Sequence, residues 1–434
     1  MKSSGKEKAV SRRGFLQTTG AAGLTSGLAG PGRSTAGGTA AMKIIGIKTY
    51  KFSVPTGSAV QDPKTGELLS SSKKPWLFLK IETDSGLAGW GEGSGEWLVA
   101  SVEATLYEWQ PLLVGQDPLN VVTLTEDIQN RLPWKGGPVF GTAVAAINMA
   151  LYDLAGKAWG VPVYTILGGR RRERVRVYTG GPLFQSTERA VGVAHSVRQR
   201  GYAGVKSNPL EGRTWPMDGA ALEHDVGCVA AVRESVGPDF DILLDTHGSP
   251  TPELSLEFAR RVAPYRPLFI EEPVKVGSVE ALLEVSRRSP VPIATGEKLF
   301  TLRDFKPIID QRACAVLQPD VAHCFGITHT LDIAKAADQA QILMAPHGAG
   351  GPLFYAATLA MDAVTNPFLI QETNYFEQFD RYVEHDWKIQ DGYVNLSDRP
   401  GLGVKVKEQD LAQLEYEPLP YRQYRHADGS WKGW

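Results

Sequence analysis

The chain has 434 residues, a formal net charge of −2 and 42% hydrophobic residues. That length calls for more than one structural unit, and so small a net charge excludes a broad nucleic-acid surface. Three scattered cysteines, Cys228, Cys314 and Cys324, exclude a disulfide framework or a zinc site and read as core thiols. No run reaches the ~18 apolar residues expected of a membrane span.

Near the N-terminus lies Ser11-Arg12-Arg13-Gly14-Phe15-Leu16, followed by a mild Gly/Ala/Leu stretch from Thr18 to Gly30. Paired arginines before a weakly apolar segment predict twin-arginine export to the periplasm. The alternative is a cytoplasmic protein starting at Met42-Lys43-Ile44, because no A-x-A cleavage box follows the stretch. Residues 1–41 are therefore set aside from the fold.

Residues 42–165 read as an α+β capping unit. KIIGIKTYKFSV and WLFLKIETDSGLAGWGEG form antiparallel strands with Asp84-Ser85-Gly86 as a turn, and residues 141–160 form an apolar helix. Between the first two strands, Val54 to Pro75 is polar and rich in Gly, Ser and Pro, the composition of a mobile lid. The basic run Gly169 to Arg174 reads as a solvated junction.

Next, residues 166–373 alternate short apolar runs with helical patterns such as ELSLEFARRVAPY (253–265) and VEALLEVSRRS (279–289). Eight runs occur: RVRVYTG, AGVKSNP, DILLD, PLFIEE, VPIATGE, CAVLQPD, QILMAPH and PFLIQE. Eight strands alternating with helices predict an α/β barrel of parallel strands, a fold that takes ~250 residues. An open doubly wound sheet would need a glycine-rich phosphate turn after an early strand, and none is present. The tail, 374–434, is rich in Trp and Tyr and is expected to pack back on the capping unit.

Six chemically active residues close six of these runs: Asp245, Glu271, Glu297, Asp320, His347 and Glu372, spaced 26, 26, 23, 27 and 25 apart. In a barrel, strand ends converge on one face. One acid alone is as well explained as a helix cap or surface charge, but three at two equal steps are not. Asp245, Glu271 and Glu297 offer oxygen and no thiolate, the donor set of a hard cation such as Mg²⁺. Glu272 follows Glu271, and strand alternation lets only one of the two be a ligand. His247, two residues after Asp245, points the same way. Asp320 and His347 end neighbouring strands, where an aspartate raises the basicity of a histidine and makes His347 a candidate general base. The other histidines default to structural roles.

These residues, with the hairpin FLKIETDSGLAGWGE, the blocks VAPYRPLFIEEPV, GEKLFTLRDF, LQPDVAHCFGIT, APHGAGGP and PGLGV, and the closing RHADGSWKGW, resemble the mandelate-racemase branch of the enolase superfamily over residues 42–434. The resemblance implies a (β/α)7β modified TIM barrel, with the α+β N-terminal capping domain completed by the C-terminal tail. It implies Mg²⁺ on Asp245, Glu271 and Glu297, proton abstraction by His347 oriented by Asp320, and protonation of the leaving hydroxyl by His247. Glu372 would hold a substrate carboxylate oxygen and Lys206 would bind or neutralise it. Lys206 and Asn208 replace the Lys-x-Lys of relatives that racemise, which implies dehydration of an acid sugar, an aldonate such as galactonate, to a 2-keto-3-deoxy acid. Two departures bear on the substrate: the long segment from Val54 to Pro75, and Gly348-Ala349-Gly350-Gly351 after the base. Epimerisation, dehydration of another acid sugar, and a non-catalytic exported sugar-acid binder are the alternatives. A homo-oligomer acting on a small-molecule acid sugar is expected.

Overall fold

The computed structural model describes residues 42–419, apart from 57–59, 62–67, 71, 97, 134–135 and 211–216, together with residue 429. The expected export signal lies outside the described residues, as do ten of the 22 residues of the expected lid and most of the closing RHADGSWKGW.

The capping sheet runs β1 (Ile44–Pro55), β4 (Lys73–Thr83), β5 (Ala88–Glu92) in antiparallel order, with β2 (Val60–Gln61) and β3 (Leu68–Ser70) as a separate ribbon. Val54 and Pro55 pair with Lys74 and Lys73. Both ends of the segment expected to be lid are therefore sheet. Alternating apolar and polar residues along these strands bury one face.

Against the sheet lie α1 (Val99–Leu113), α2 (Val121–Arg131) and α3 (Pro138–Trp159). α3, expected as an apolar helix, is long and apolar enough to cross a membrane by composition. Its residues Gly141 to Gly156 are all buried, as in the core helix of a globular unit. A Cβ at Gly89 or Gly91 would stand 2.0 Å from the carbonyl oxygens of Ala150 and Ala146. The glycines of the AGWGE strand are thus what lets α3 lie flat on the sheet. A short α4 (Val163–Ile166) leads into the second unit.

That unit is a ring of parallel strands: β6 (Arg174–Gly180), β7 (Gly204–Ser207), β8 (Asp241–Asp245), β9 (Phe269–Glu271), β10 (Ile293–Thr295), β11 (Val316–Leu317), β12 (Leu343–Met344) and β13 (Gln371–Thr373). Consecutive strands pair from β6 to β12, β13 pairs with β6, and a Met344–Phe368 bridge joins the β12 and β13 segments. The helices between them are α5 (Thr187–Gln199), α6 (Gly219–Val236), α7 (Pro252–Val262), α8 (Val279–Arg288), α9 (Leu302–Gln311), α10 (Ile327–Gln339) and α11 (Pro352–Val364). No helix follows β13 before the tail, which gives the (β/α)7β pattern.

Tyr178, Leu243, Phe269, Ala294, Val316, Ala345 and Ile370 form an interior cluster separate from the main core. Asp245, Glu271, Gln318, His347 and Glu372 each lie two residues further along their chains. The pleat therefore turns the same interior side toward the mouth at those positions.

The tail serves both units. β14 (Val383–Glu384) pairs with β17 (Lys405–Val406), while β15 (Ile389–Gln390) and β16 (Tyr393–Asn395) add antiparallel strands to β6. Tyr382 stacks on Phe52 at 5.4 Å and meets Trp76 at 5.2 Å, and Glu408 of α12 (Glu408–Leu411) pairs with Lys80 at 2.9 Å. These contacts fasten the tail to the capping sheet.

Candidate active site

The ends of β8, β9 and β10 bring one oxygen each of Asp245, Glu271 and Glu297 within 4.8 Å of one another. Glu271 is completely buried, and its Oε1 has no hydrogen-bond partner. Burial, followed by the charge of Asp245, pushes the Glu271 carboxyl well above its usual range. Three crowded carboxylates with an orphaned oxygen fit a cation. With Lys206, a divalent ion would bring the cluster to neutrality, and an all-oxygen donor set suits Mg²⁺.

Lys206, on β7, reaches Asp245 at 3.2 Å, Glu271 at 3.1 Å and Glu372 at 3.0 Å. Burial opposes its charge, but Glu271 and Glu372 outweigh burial and hold the ammonium well above its ordinary pKa. It is thus a fixed cation at the floor of the mouth.

Across the mouth, His347 Nδ1 lies 2.7 Å from Asp320 Oδ2, and its Nε2 lies 3.4 Å from Glu297. Burial disfavours the imidazolium, but Glu297 and Asp320 outweigh it and raise the pKa well above the ordinary value. A cation bound on Glu297 would withdraw part of that stabilisation and move His347 toward a working base. Asp320 is itself fixed by the backbone N–H of Ala322 at 2.7 Å. Despite its burial, His323 and His347 keep its pKa low.

His247 follows β8 and has φ 51°, so a left-handed turn rather than strand alternation directs it. Its Nε2 lies 3.3 Å from Asp245, and the Asn208 amide lies 3.1 Å from that nitrogen. β8 and β12 are four strands apart in a ring of eight. His247 and His347 therefore stand on opposite sides of the mouth, with Asp245, Glu271 and Glu297 along the arc from β8 to β10 and Lys206 reaching in from β7 on the other arc. Every residue expected at the site stands at this one mouth.

Sequence reasoning missed the support beneath the ligands. Glu272 follows β9 with φ 46°, and its buried carboxylate pairs with the half-buried Lys298. Lys298 also donates to the His247 carbonyl at 3.3 Å and lies 3.3 Å from Glu297. Its only sequence signal is a lysine next to a ligand acid. Lys298→Met should cost roughly 1–3 kcal/mol, because it leaves the buried Glu272 carboxyl without its partner, while burial already pushes that carboxyl up to about 8 and lets it take a proton. Denaturant unfolding checks this, and a loss under 1 kcal/mol would contradict it.

Residues 48–168 match the mandelate racemase / muconate lactonizing enzyme N-terminal domain, and residues 189–410 match the enolase C-terminal domain-like family. The chain belongs to the mandelate-racemase branch of the enolase superfamily. Among its relatives, a D-galactonate dehydratase of Variovorax paradoxus is 34% identical over 83% of this chain and 96% of its own length. That of Ralstonia nicotianae is 35% identical over the same shares. A mandelate racemase/muconate lactonizing enzyme-like protein from Rubrobacter xylanophilus superposes with a TM-score of 0.76 at 29% identity, over 88% of this chain and 100% of its own. An enolase-superfamily member from Salmonella Typhimurium superposes with a TM-score of 0.76 at 25% identity, over 86% and 98%. The superfamily assignment covers both the capping unit and the barrel.

Proposed function

We propose that this superfamily member is a Mg²⁺-dependent hydro-lyase. It would remove the β-hydroxyl of an aldonic acid such as galactonate and yield the 2-keto-3-deoxy acid. The coarser level, an acid-sugar dehydratase, rests on the curated dehydratases that match over 83% of the chain. The finer reading is carried by one observation: His247 and His347 oppose each other across three carboxylates.

In this reading, Mg²⁺ held by Asp245, Glu271 and Glu297 supplies positive charge against an enediolate. Lys206 donates to the substrate carboxylate, with Glu372 beside it at 3.0 Å from the ammonium. His347 Nε2 takes the C2 proton, and the C–H electron pair enters the C1–C2 bond. His247 then gives a proton to the C3 hydroxyl as the C3–O bond breaks, and water leaves. The resulting enol tautomerises to the 2-keto acid. Asn208 stands where a second base would be needed for epimerisation, which favours dehydration.

A screen of the purified protein with acid sugars in D₂O tests the reading. Dehydration yields a 2-keto product that stops with chelator, and epimerisation yields deuterium at C2 with inversion. A non-catalytic binder gives neither, and that result would remove the proposal. We also infer twin-arginine export from Ser11 to Leu16, with activity in the periplasmic fraction, and assembly as a homo-oligomer.

A further inference from the structure

The helices that follow the barrel strands begin in two different ways. α5, α6, α7 and α8 are capped by side chains of their own segments, Ser186, Asp218, Thr251 and Ser278. α9 has a complete capping box from Thr301 and Asp304. α10 and α11 instead begin at Gly326 and Gly351, which have no side chain to offer. These two helices follow Asp320 and His347.

Both are capped from the other unit. Asn148 of α3, completely buried, accepts the Ile327 N–H at 2.8 Å. Glu92 at the end of β5, 1% exposed, accepts the N–H of Gly351 at 2.5 Å, Leu353 at 3.1 Å and Phe354 at 3.0 Å. Pro352 between them has no N–H to satisfy. A carboxylate at a helix N-terminus also meets the positive end of the helix dipole. A Cβ at Gly326 would stand 2.5 Å from Asn148 Oδ1, and one at Gly351 would stand 2.8 Å from Glu92 Oε1. Glycine at each N-cap is thus what admits the foreign cap.

The loop after His347 is held residue by residue. Gly348 N–H donates to Glu372 at 3.2 Å, and its carbonyl accepts from Tyr355 at 2.6 Å. The Ala349 carbonyl accepts from Lys74, and the Gly350 carbonyl from Asn374 at 3.4 Å. With three glycines and an alanine, the loop cannot lock itself by packing. Two of its pins, Lys74 and Glu92, come from the capping sheet.

We propose that Glu92 and Asn148 are positioning residues that cap α11 and α10 from the capping unit and so hold His347 and Asp320 in register. This rests on the reading of His347 as the base. The capping unit would then set the rate of proton abstraction as well as enclosing substrate. A 1 Å misplacement of a catalytic group can cost about a hundredfold in rate.

The test uses the full chain with Mg²⁺, and D-galactonate as the probe substrate. Glu92→Gln keeps the shape but turns one acceptor into a donor facing N–H groups. It should lower kcat by about ten- to a hundredfold, with KM and calorimetric Mg²⁺ affinity within about threefold. Hydrogen exchange over residues 347–356 should speed up at Gly351, Leu353 and Phe354. Lys74→Ala, at a partly exposed site, is the milder second variant, and its kcat should fall by a smaller factor. Ser186→Ala removes a cap on α5, which follows a different strand, and is the control for stability alone. Protection that persists at Gly351 to Phe354 in Glu92→Gln overturns the proposal, whatever the turnover. So does a kcat loss that Ser186→Ala reproduces, or a freed loop with unchanged kcat. If His347→Asn stays active, the base reading fails, and the exchange result still decides whether Glu92 holds the loop.

Discussion

Glu271→Gln is expected to abolish turnover, by on the order of a thousandfold or more, and to remove stabilisation by Mg²⁺ while the barrel stays folded. The carboxylate is completely buried, with Oε1 unpartnered and Oε2 3.1 Å from Lys206. In the wild type, a cation at about a hundred times its dissociation constant adds about 2.7 kcal/mol of stability. The variant should show none of it in a melting series against Mg²⁺. Its melting temperature without metal should stay level or rise, because burial and Asp245 already disfavour the Glu271 charge. Wild-type turnover in excess chelator would remove the metal from the mechanism. Metal-dependent stabilisation that survives in Glu271→Gln would move the site elsewhere.

The acids were readable because a βα repeat has a nearly constant length. Residues that end strands then recur at a nearly constant step, and the pleat aligns Asp245, Glu271, His347 and Glu372 two positions beyond the interior layer. Helices α5, α7 and α8 begin on a local signal of the same kind, since Ser186, Thr251 and Ser278 cap the residues that follow them. Glu92 had no such signal. Its partners lie about 260 residues away, and nothing near GWGE announces a helix N-terminus in another unit. Asn148 and Lys298 were hidden in the same way. His247 shows a different limit: alternation names the correct side, yet the turn that delivers the side chain is left-handed. Helix α3 shows that hydropathy cannot distinguish a membrane span from a helix enclosed by sheet and helices.

The two histidines should separate cleanly by substrate. His347→Asn removes the proposed base, the imidazole that Asp320 orients at the mouth. Both deuterium exchange at C2 and dehydration should fall by roughly 10²–10⁴-fold. His247→Asn leaves the Asp320–His347 pair untouched, because His247 stands on the opposite arc beside Asp245 and Asn208. It should lose dehydration of the natural hydroxyl by a similar factor, since hydroxide leaves poorly without a proton. A 3-fluoro analogue departs as fluoride and needs no acid, so His247→Asn should retain most of the wild-type rate on it, and His347→Asn should not. Equal loss on both substrates would mean that His247 positions the substrate instead of protonating it. The hydroxyl would then have to take its proton from another group at the mouth.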